Sequence, residues 1–180
     1  MNINKIAKRI MFHLFFLPIK VIFYFNHRVY MRLYVPLLKR QGINLEGMPR
    51  YIGANVVFDD FSMITLGDRV VISDQCHLLT HDYSVTTALI AIGKMPEHDI
   101  ALIRSIKIGN NVFIGKKALI LPNTKIGDNC IIGAGSVIRG DIASGSIVIG
   151  NPHVIVGSIY DQARKWEKYL SDNNYYRIDK

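Results

Sequence analysis

Cysteine is scarce: only Cys76 and Cys130 occur in 180 residues. Both fall at the same small place of a repeat set out below, so they read as packed free thiols suited to a reducing, cytoplasmic compartment. Acids are almost missing from the first fifty residues, where Glu46 stands alone against nine Lys or Arg. Residues 51–180 hold thirteen of each sign, so the whole net charge of +8 belongs to the N-terminal segment. No apolar run reaches the roughly 20 residues that cross a bilayer. The longest, Ile10 to Phe25, is interrupted by His13, Pro18 and Lys20. No small-residue cleavage site follows it, the next residues being Asn26-His27-Arg28-Val29-Tyr30, so a secretory signal is not expected. The histidines complete no zinc pattern: His77 and His81 are four apart with no helix to present them together, and His98 and His153 add nothing. No metal is expected.

With 49% apolar residues, the chain can bury one sizeable core. Residues 3–40 are expected to form one or two helices, broken near Pro18 and ending near Pro36, that lie on a membrane surface. Each basic residue near anionic lipid adds about 1 kcal/mol, and aromatic rings suit the interface. The alternative is that these helices pack on the rest of the chain or on a partner subunit. Nucleic acid is not an expected partner, because the basic residues are diluted among aliphatics and accompany no recognised motif.

From Ile108, isoleucine recurs at every sixth position: Ile108, Ile114, Ile120, Ile126, Ile132 and Ile138. A helix repeats near 3.6 residues and a half-buried strand near two, so a period of six points to a solenoid of six-residue units. Four residues after each isoleucine stand Val112, Ala118, Thr124, Cys130, Ser136 and Ile142, mostly small or β-branched side chains able to share its interior. Glycine follows Ile108, Ile114, Ile126 and Ile132, with Asn110, Asn111, Asp128 and Asn129 close behind. Gly, Asn and Asp tolerate the positive φ that a tight corner demands. An earlier array is led by Ile52, Phe58, Leu66, Ile72 and Leu78, with Val56, Ser62, Val70 and Cys76 at the small place and a two-residue slip near Ile64. A looser continuation runs from Ser144 to Ile155. At three units per coil the array makes roughly four coils.

Between Tyr83 and Ile106 the hexads stop for 22 residues. A solenoid gains nothing structural from expelling such a loop, and long loops in compact folds are usually functional. Just before it stands Thr80-His81-Asp82-Tyr83, which puts His81 on a rigid rim beside a segment able to cover a substrate.

The tract Ile106-Lys-Ile-Gly-Asn-Asn-Val-Phe-Ile-Gly115, then Ile120-Leu-Pro-Asn-Thr-Lys-Ile-Gly-Asp-Asn129, Ile132-Gly-Ala-Gly-Ser-Val137 and Gly150-Asn-Pro152, resembles the hexapeptide-repeat acyltransferases. The subgroup it is most similar to contains the galactoside, maltose and polysaccharide O-acetyltransferases. The resemblance covers about residues 50–157. It implies an all-β solenoid, a left-handed parallel β-helix, assembled as a homotrimer with acetyl-CoA in the cleft between subunits. It also implies that His81 is the general base. Asp59 and Asp60 match an acidic pair of which one member contacts the sugar acceptor, with Asp82 and Tyr83 beside the base; simple corner residues are the alternative. For the donor, the resemblance implies contacts from Phe113, Gly115, Lys116, Lys117, Ala134 and Gly135, with Arg139 a candidate for the phosphate end. Phe113 stands where the family usually has tryptophan, and Arg139-Gly140 where it commonly has Thr-Lys.

The chemistry needs little else. A hydroxyl is a poor nucleophile, so a neutral imidazole takes its proton as it attacks the thioester, an assistance worth about 10² to 10⁴ in rate. A thiol with a pKa of about 8.5 leaves without strong acid help, and a corner N–H is placed to hold the oxyanion. Direct transfer needs no acyl-enzyme. The expected organisation is a basic apolar helical segment (1–50), the catalytic β-helix (51–157) with an excursion over 84–105, and a capping helix and tail (158–180). The expected activity is O-acetylation of a sugar hydroxyl in a bacterial surface polysaccharide or its lipid-linked precursor. N-acetylation of a nucleotide-linked amino sugar, xenobiotic acetylation, a metal enzyme like the γ-carbonic anhydrases and a purely structural solenoid remain as rivals.

Overall fold

The computed structural model describes residues 3–172, with side chains from Met11 onward. The first two residues of the N-terminal segment and residues 173–180 of the expected tail lie outside the described residues.

Three short-stranded parallel sheets form the faces of a prism. In each strand the inward side chain stacks on its counterpart one coil away. The first face stacks Leu45, Leu66, Ile108, Ile126 and Ile142, and the second Ile52, Ile72, Ile114, Ile132 and Val148. The third stacks Phe58, Leu78, Ile120 and Ile138. Four full coils and the start of a fifth result. Nearly every stacked side chain is fully buried, and burying one isoleucine contributes about 2 kcal/mol. At the small inward place, Cys76 and Cys130 are buried and unpaired, and burial pushes both thiols up.

The corners differ from expectation in one respect. The glycine after each isoleucine does not supply the positive φ. That conformation falls two residues later, at Asn111, Lys117, Asn123, Asn129 and Gly135, again six apart. At Gly115 the need is close approach: a Cβ there would lie 2.5 Å from the backbone N of Ala134 in the next coil.

Other expectations are corrected by the coil register. Ser62 is exposed rather than inward, because a 3₁₀ turn over Phe61–Met63 takes up the slip and delivers Ile64 to the core. Ile142 occupies a strand position paired with Ile126, so this coil is two residues short and Ile142 leaves the small place. The continuation from Ser144 starts a further coil but does not complete it. The strands Ser146–Gly150 and His153–Ser158 form an antiparallel hairpin through Asn151–Pro152, which covers the last edge of the second face.

Helix α1 (Ile3–Phe23) runs through Pro18 and α2 (His27–Gln41) through Pro36, so neither proline breaks its helix. Each costs a backbone hydrogen bond, but packing of the helices holds them. The real boundaries are Asn26, whose side chain accepts from the amides of Arg28 and Val29, and Gly42 at φ 117. Phe12 packs on Phe61, and Phe16 and Phe23 on Tyr34 and Tyr30. Those rings, Leu38 and Ile43 belong to one continuous core with Ile52 and Phe58. The two helices therefore close the N-terminal end of the prism. No described helix is long and apolar enough to cross a membrane.

The excursion leaves after Thr80 on a two-strand stem, His81–Asp82 against Leu102–Ile103, and carries a short helix α3 (Ser84–Ala91) that the sequence pattern did not suggest. A last helix, α4 (Ile159–Asp172), follows the terminal hairpin. Trp166 shares a groove with Val71, Phe113 and Ile131, so α4 lies beside the second face.

Candidate active site

The register of the third face builds the site. Val57 pairs with His77 and Phe58 with Leu78, which sets the two acids after Phe58 beside the residues leading to His81. Asp59 then spends both carboxylate oxygens. Oδ1 accepts from His77 Nε2 at 2.9 Å; Oδ2 lies 3.1 Å from His81 Nδ1 and accepts the Thr80 amide at 3.2 Å. Thr80 is fully buried, and its hydroxyl accepts the Asp60 amide at 3.2 Å. The Asp59 side chain is only 13% exposed, whereas that of His81 is 42% exposed. A carboxylate on Nδ1 favours the tautomer with its proton there, which leaves Nε2 with a lone pair. Tyr83 stacks edge-on to His81 at 5.5 Å.

His81 opens onto a cleft of about 510 Å³ along the corner between the third and first faces. Leu102 and Arg104 border it from the stem of the excursion, Asn123 and Arg139 from the next two coils. Two guanidinium groups on one cleft favour an anionic ligand. At Gly140, φ is +75° and nothing lies within 4 Å of where a Cβ would stand, so the backbone is open to close approach from the cleft.

The other expected residues fall in four places. Asp60 caps the 3₁₀ turn, accepting the amide and hydroxyl of Ser62 at 3.0 and 2.7 Å. Asp82 is tied to the excursion. Its carboxylate accepts the Ser84 amide at 2.8 Å, and bonds from Ser84, then the charges of Arg139 and Arg104, hold it below the ordinary carboxylate range. Gly115, Lys116, Lys117, Ala134 and Gly135 gather at the corner between the second and third faces, where the Gly135 amide donates to Lys116 O at 2.9 Å. Phe113 lies on the second face in the groove with Trp166, away from the His81 cleft. Of the expected donor contacts, only Arg139 lines that cleft.

Sequence reasoning passed over two residues. No helix presents His77 with His81, yet a shared carboxylate joins them. The available signal was the coil offset of about twenty residues that separates both from Asp59. Arg104 carried no motif; its position at the foot of the excursion is the only clue. Among the described residues, no group of three His, Cys, Asp or Glu could hold a metal ion; both ring nitrogens facing Asp59 are spent on its carboxylate.

Comparison with known proteins bears on the fold around this site. Residues 105–140 match the model of the bacterial transferase hexapeptide, six repeats. The galactoside O-acetyltransferase of Escherichia coli (strain K12) is 32% identical over 138 residues, covering 76% of this chain and 64% of that enzyme. Another protein of that strain, provisionally named a lipopolysaccharide biosynthesis O-acetyl transferase, is 24% identical over 71% of each chain. Among solved structures, a hexapeptide-repeat acetyltransferase of Vibrio cholerae complexed with acetyl coenzyme A superposes with a TM-score of 0.61 at 22% identity, over 84% of this chain and 87% of that one. The fold is thereby a left-handed parallel β-helix, the hand opposite to the usual crossover. The match spans just under two thirds of the galactoside enzyme's length.

Proposed function

We propose that this chain, whose residues 105–140 match the bacterial transferase hexapeptide and which is similar to a galactoside O-acetyltransferase over 76% of its length, is an acetyl-CoA-dependent O-acetyltransferase acting on a sugar hydroxyl. The acceptor we assign is a bacterial surface polysaccharide or its lipid-linked precursor, met at the inner face of the cytoplasmic membrane. The observation that carries the reading is the His81–Asp59 pair at the mouth of a cleft flanked by Arg104 and Arg139.

In this mechanism, Nε2 of His81 accepts the hydroxyl proton as the sugar oxygen attacks the thioester carbonyl. A tetrahedral intermediate forms, then collapses with cleavage of the C–S bond, and the departing coenzyme A thiolate takes up a proton. Asp59 acts as a positioning residue. It holds His81 in the Nδ1–H tautomer and stabilises the imidazolium that forms, while His77 and the Thr80 amide fix the carboxylate itself. Direct transfer needs no covalent enzyme intermediate.

The resemblance to trimeric enzymes supports a homotrimer, and the distribution of residues gives that assembly a purpose. Within one chain the donor corner at Gly115 and Gly135 and the cleft at His81 belong to different edges of the prism. A cleft between subunits brings one chain's His81 edge to another chain's donor corner. Gly135 has φ +69° and an open side where a Cβ would stand, which suits close passage of a pantetheine arm. Arg104 and Arg139 are suited to its phosphates.

The test is the bond formed. With labelled acetyl-CoA and a lipid-linked glycan extract, label released by mild alkali is an ester and supports the reading. Alkali-stable label is an amide and moves the activity to an amino-sugar acceptor.

A further inference from the structure

Helix α1 uses one side to close the core and leaves the other unpartnered. Phe12 is buried, and Phe16, Ile19, Ile22 and Phe23 pack inward against the core. Facing out are Met11, Leu14, Phe15, Leu17 and Val21, followed by Tyr24 and Phe25 just past the helix. Leu14 is 65% exposed, Leu17 63% and Phe25 85%. Met11, Leu14, Phe15, Pro18 and Val21 follow helical spacing, so they form one continuous stripe. Soluble surfaces rarely carry an apolar patch of this kind without a partner.

The surroundings of the stripe indicate the partner. On α2, packed beside α1, the exposed positions include Arg28, Arg32, Lys39 and Arg40. No acid precedes Glu46 in the chain, and Glu46 is itself turned onto Lys107 at 3.0 Å. A protein groove would offer both signs to pair; among the described residues before Glu46, every charged side chain beside these apolar and aromatic groups is a cation. That combination matches the boundary of an anionic bilayer, where aromatic and aliphatic groups enter the headgroup layer and cations meet lipid phosphates. The inward side of α1 is held by the core, so docking needs no unfolding of the helix.

We propose that the outward stripe of α1, flanked by the basic residues of α2, is a docking surface for anionic membrane. It deepens the reading above by naming the residues that bring the enzyme to its lipid-linked acceptor. Vesicle binding is read without any acetyl transfer, so each of the two can fail while the other stands.

The full chain is sedimented with vesicles of phosphatidylcholine alone or mixed with phosphatidylglycerol. Binding to the anionic vesicles is expected, with little to the zwitterionic ones. A Leu14→Ser, Phe15→Ser, Val21→Ser variant loses it. Arg28→Gln with Arg32→Gln weakens it about 30-fold at low salt, from about 1 kcal/mol per charge. Should the triple variant lose its circular dichroism, Phe25→Ser, outside the helix, replaces it and binds more weakly than the native chain. Equal binding by native and serine-substituted chains overturns the proposal, as does failure of the native chain to bind anionic vesicles. So does a serine variant that lowers the oligomeric state of vesicle-free protein, which assigns the stripe to a second copy.

Discussion

Asp59 Oδ2 lies 3.1 Å from His81 Nδ1, although the two residues stand on successive coils of the prism. A carboxylate that also binds His77 and the Thr80 amide has no freedom to turn away from the ring. Asp59→Asn keeps the shape but offers His81 an amide that can present its NH₂. The wrong tautomer is then stabilised, and kcat is expected to fall about 10²-fold or more, with little change in the KM for acetyl-CoA. The ¹⁵N shifts of the His81 ring check the cause directly: they should move from the Nδ1–H to the Nε2–H pattern. His77→Gln, which leaves Asp59 in place, should cost less than Asp59→Asn.

Arg104 and Arg139 reach the cleft from the excursion and from a coil two turns further on. Replacing both by alanine should weaken coenzyme A binding at least tenfold in calorimetry and flatten its dependence on salt, since screening acts on the charges removed. Dephosphorylated donor analogues should lose less on the same substitutions.

Gly115 and Gly135 are expected to respond differently to alanine. At Gly115 the added carbon meets Ala134 N at 2.5 Å and Gly133 C at 2.8 Å, so the coils must part. A loss of about 3 kcal/mol is expected, at the upper end for overpacking. At Gly135 nothing lies within 4 Å and the cost is conformational, set by φ +69°; about 1 kcal/mol is expected. Urea unfolding of the two variants gives the difference.

Tyr30 is fully buried, and its hydroxyl has no hydrogen-bond partner. Tyr30→Phe removes an unsatisfied group and should stabilise the fold by about 1 kcal/mol. Burial raises the phenols of both Tyr30 and Tyr34 above their ordinary value of 10.0. The unfolded chain releases those protons near 10 while the folded one keeps them. Their contribution is therefore complete below that pH and lost as pH rises beyond it. The alkaline fall in stability should be shallower in Tyr30→Phe.

The period of six made the prism legible, because each coil repeats the same inward demand and isoleucine answers it nearly every time. The break at His81 was legible for the same reason, as a failure of a strict rule. Asp59 and His77 were harder: their partnership depends on a twenty-residue coil offset, and local spacing says nothing of it. Pro18 and Pro36 misled, because tertiary packing of Phe12, Phe16 and Tyr34 outweighs the hydrogen bonds that proline removes. The hairpin at Ser146–Ser158 was hidden by a composition as rich in β-branched residues as the coils it closes. Helix α3 was equally hidden, since no apolar periodicity marks Ser84–Ala91 and none of its residues is buried.

The most direct test of the account is the rate of acetyl transfer from labelled acetyl-CoA to the glycan extract by the native chain and by His81→Ala at equal, folded concentration. The account predicts a fall of about 10² to 10⁴ in the variant, the contribution of a general base. Equal transfer by His81→Ala would contradict it, because the proton would then leave the acceptor by some other route.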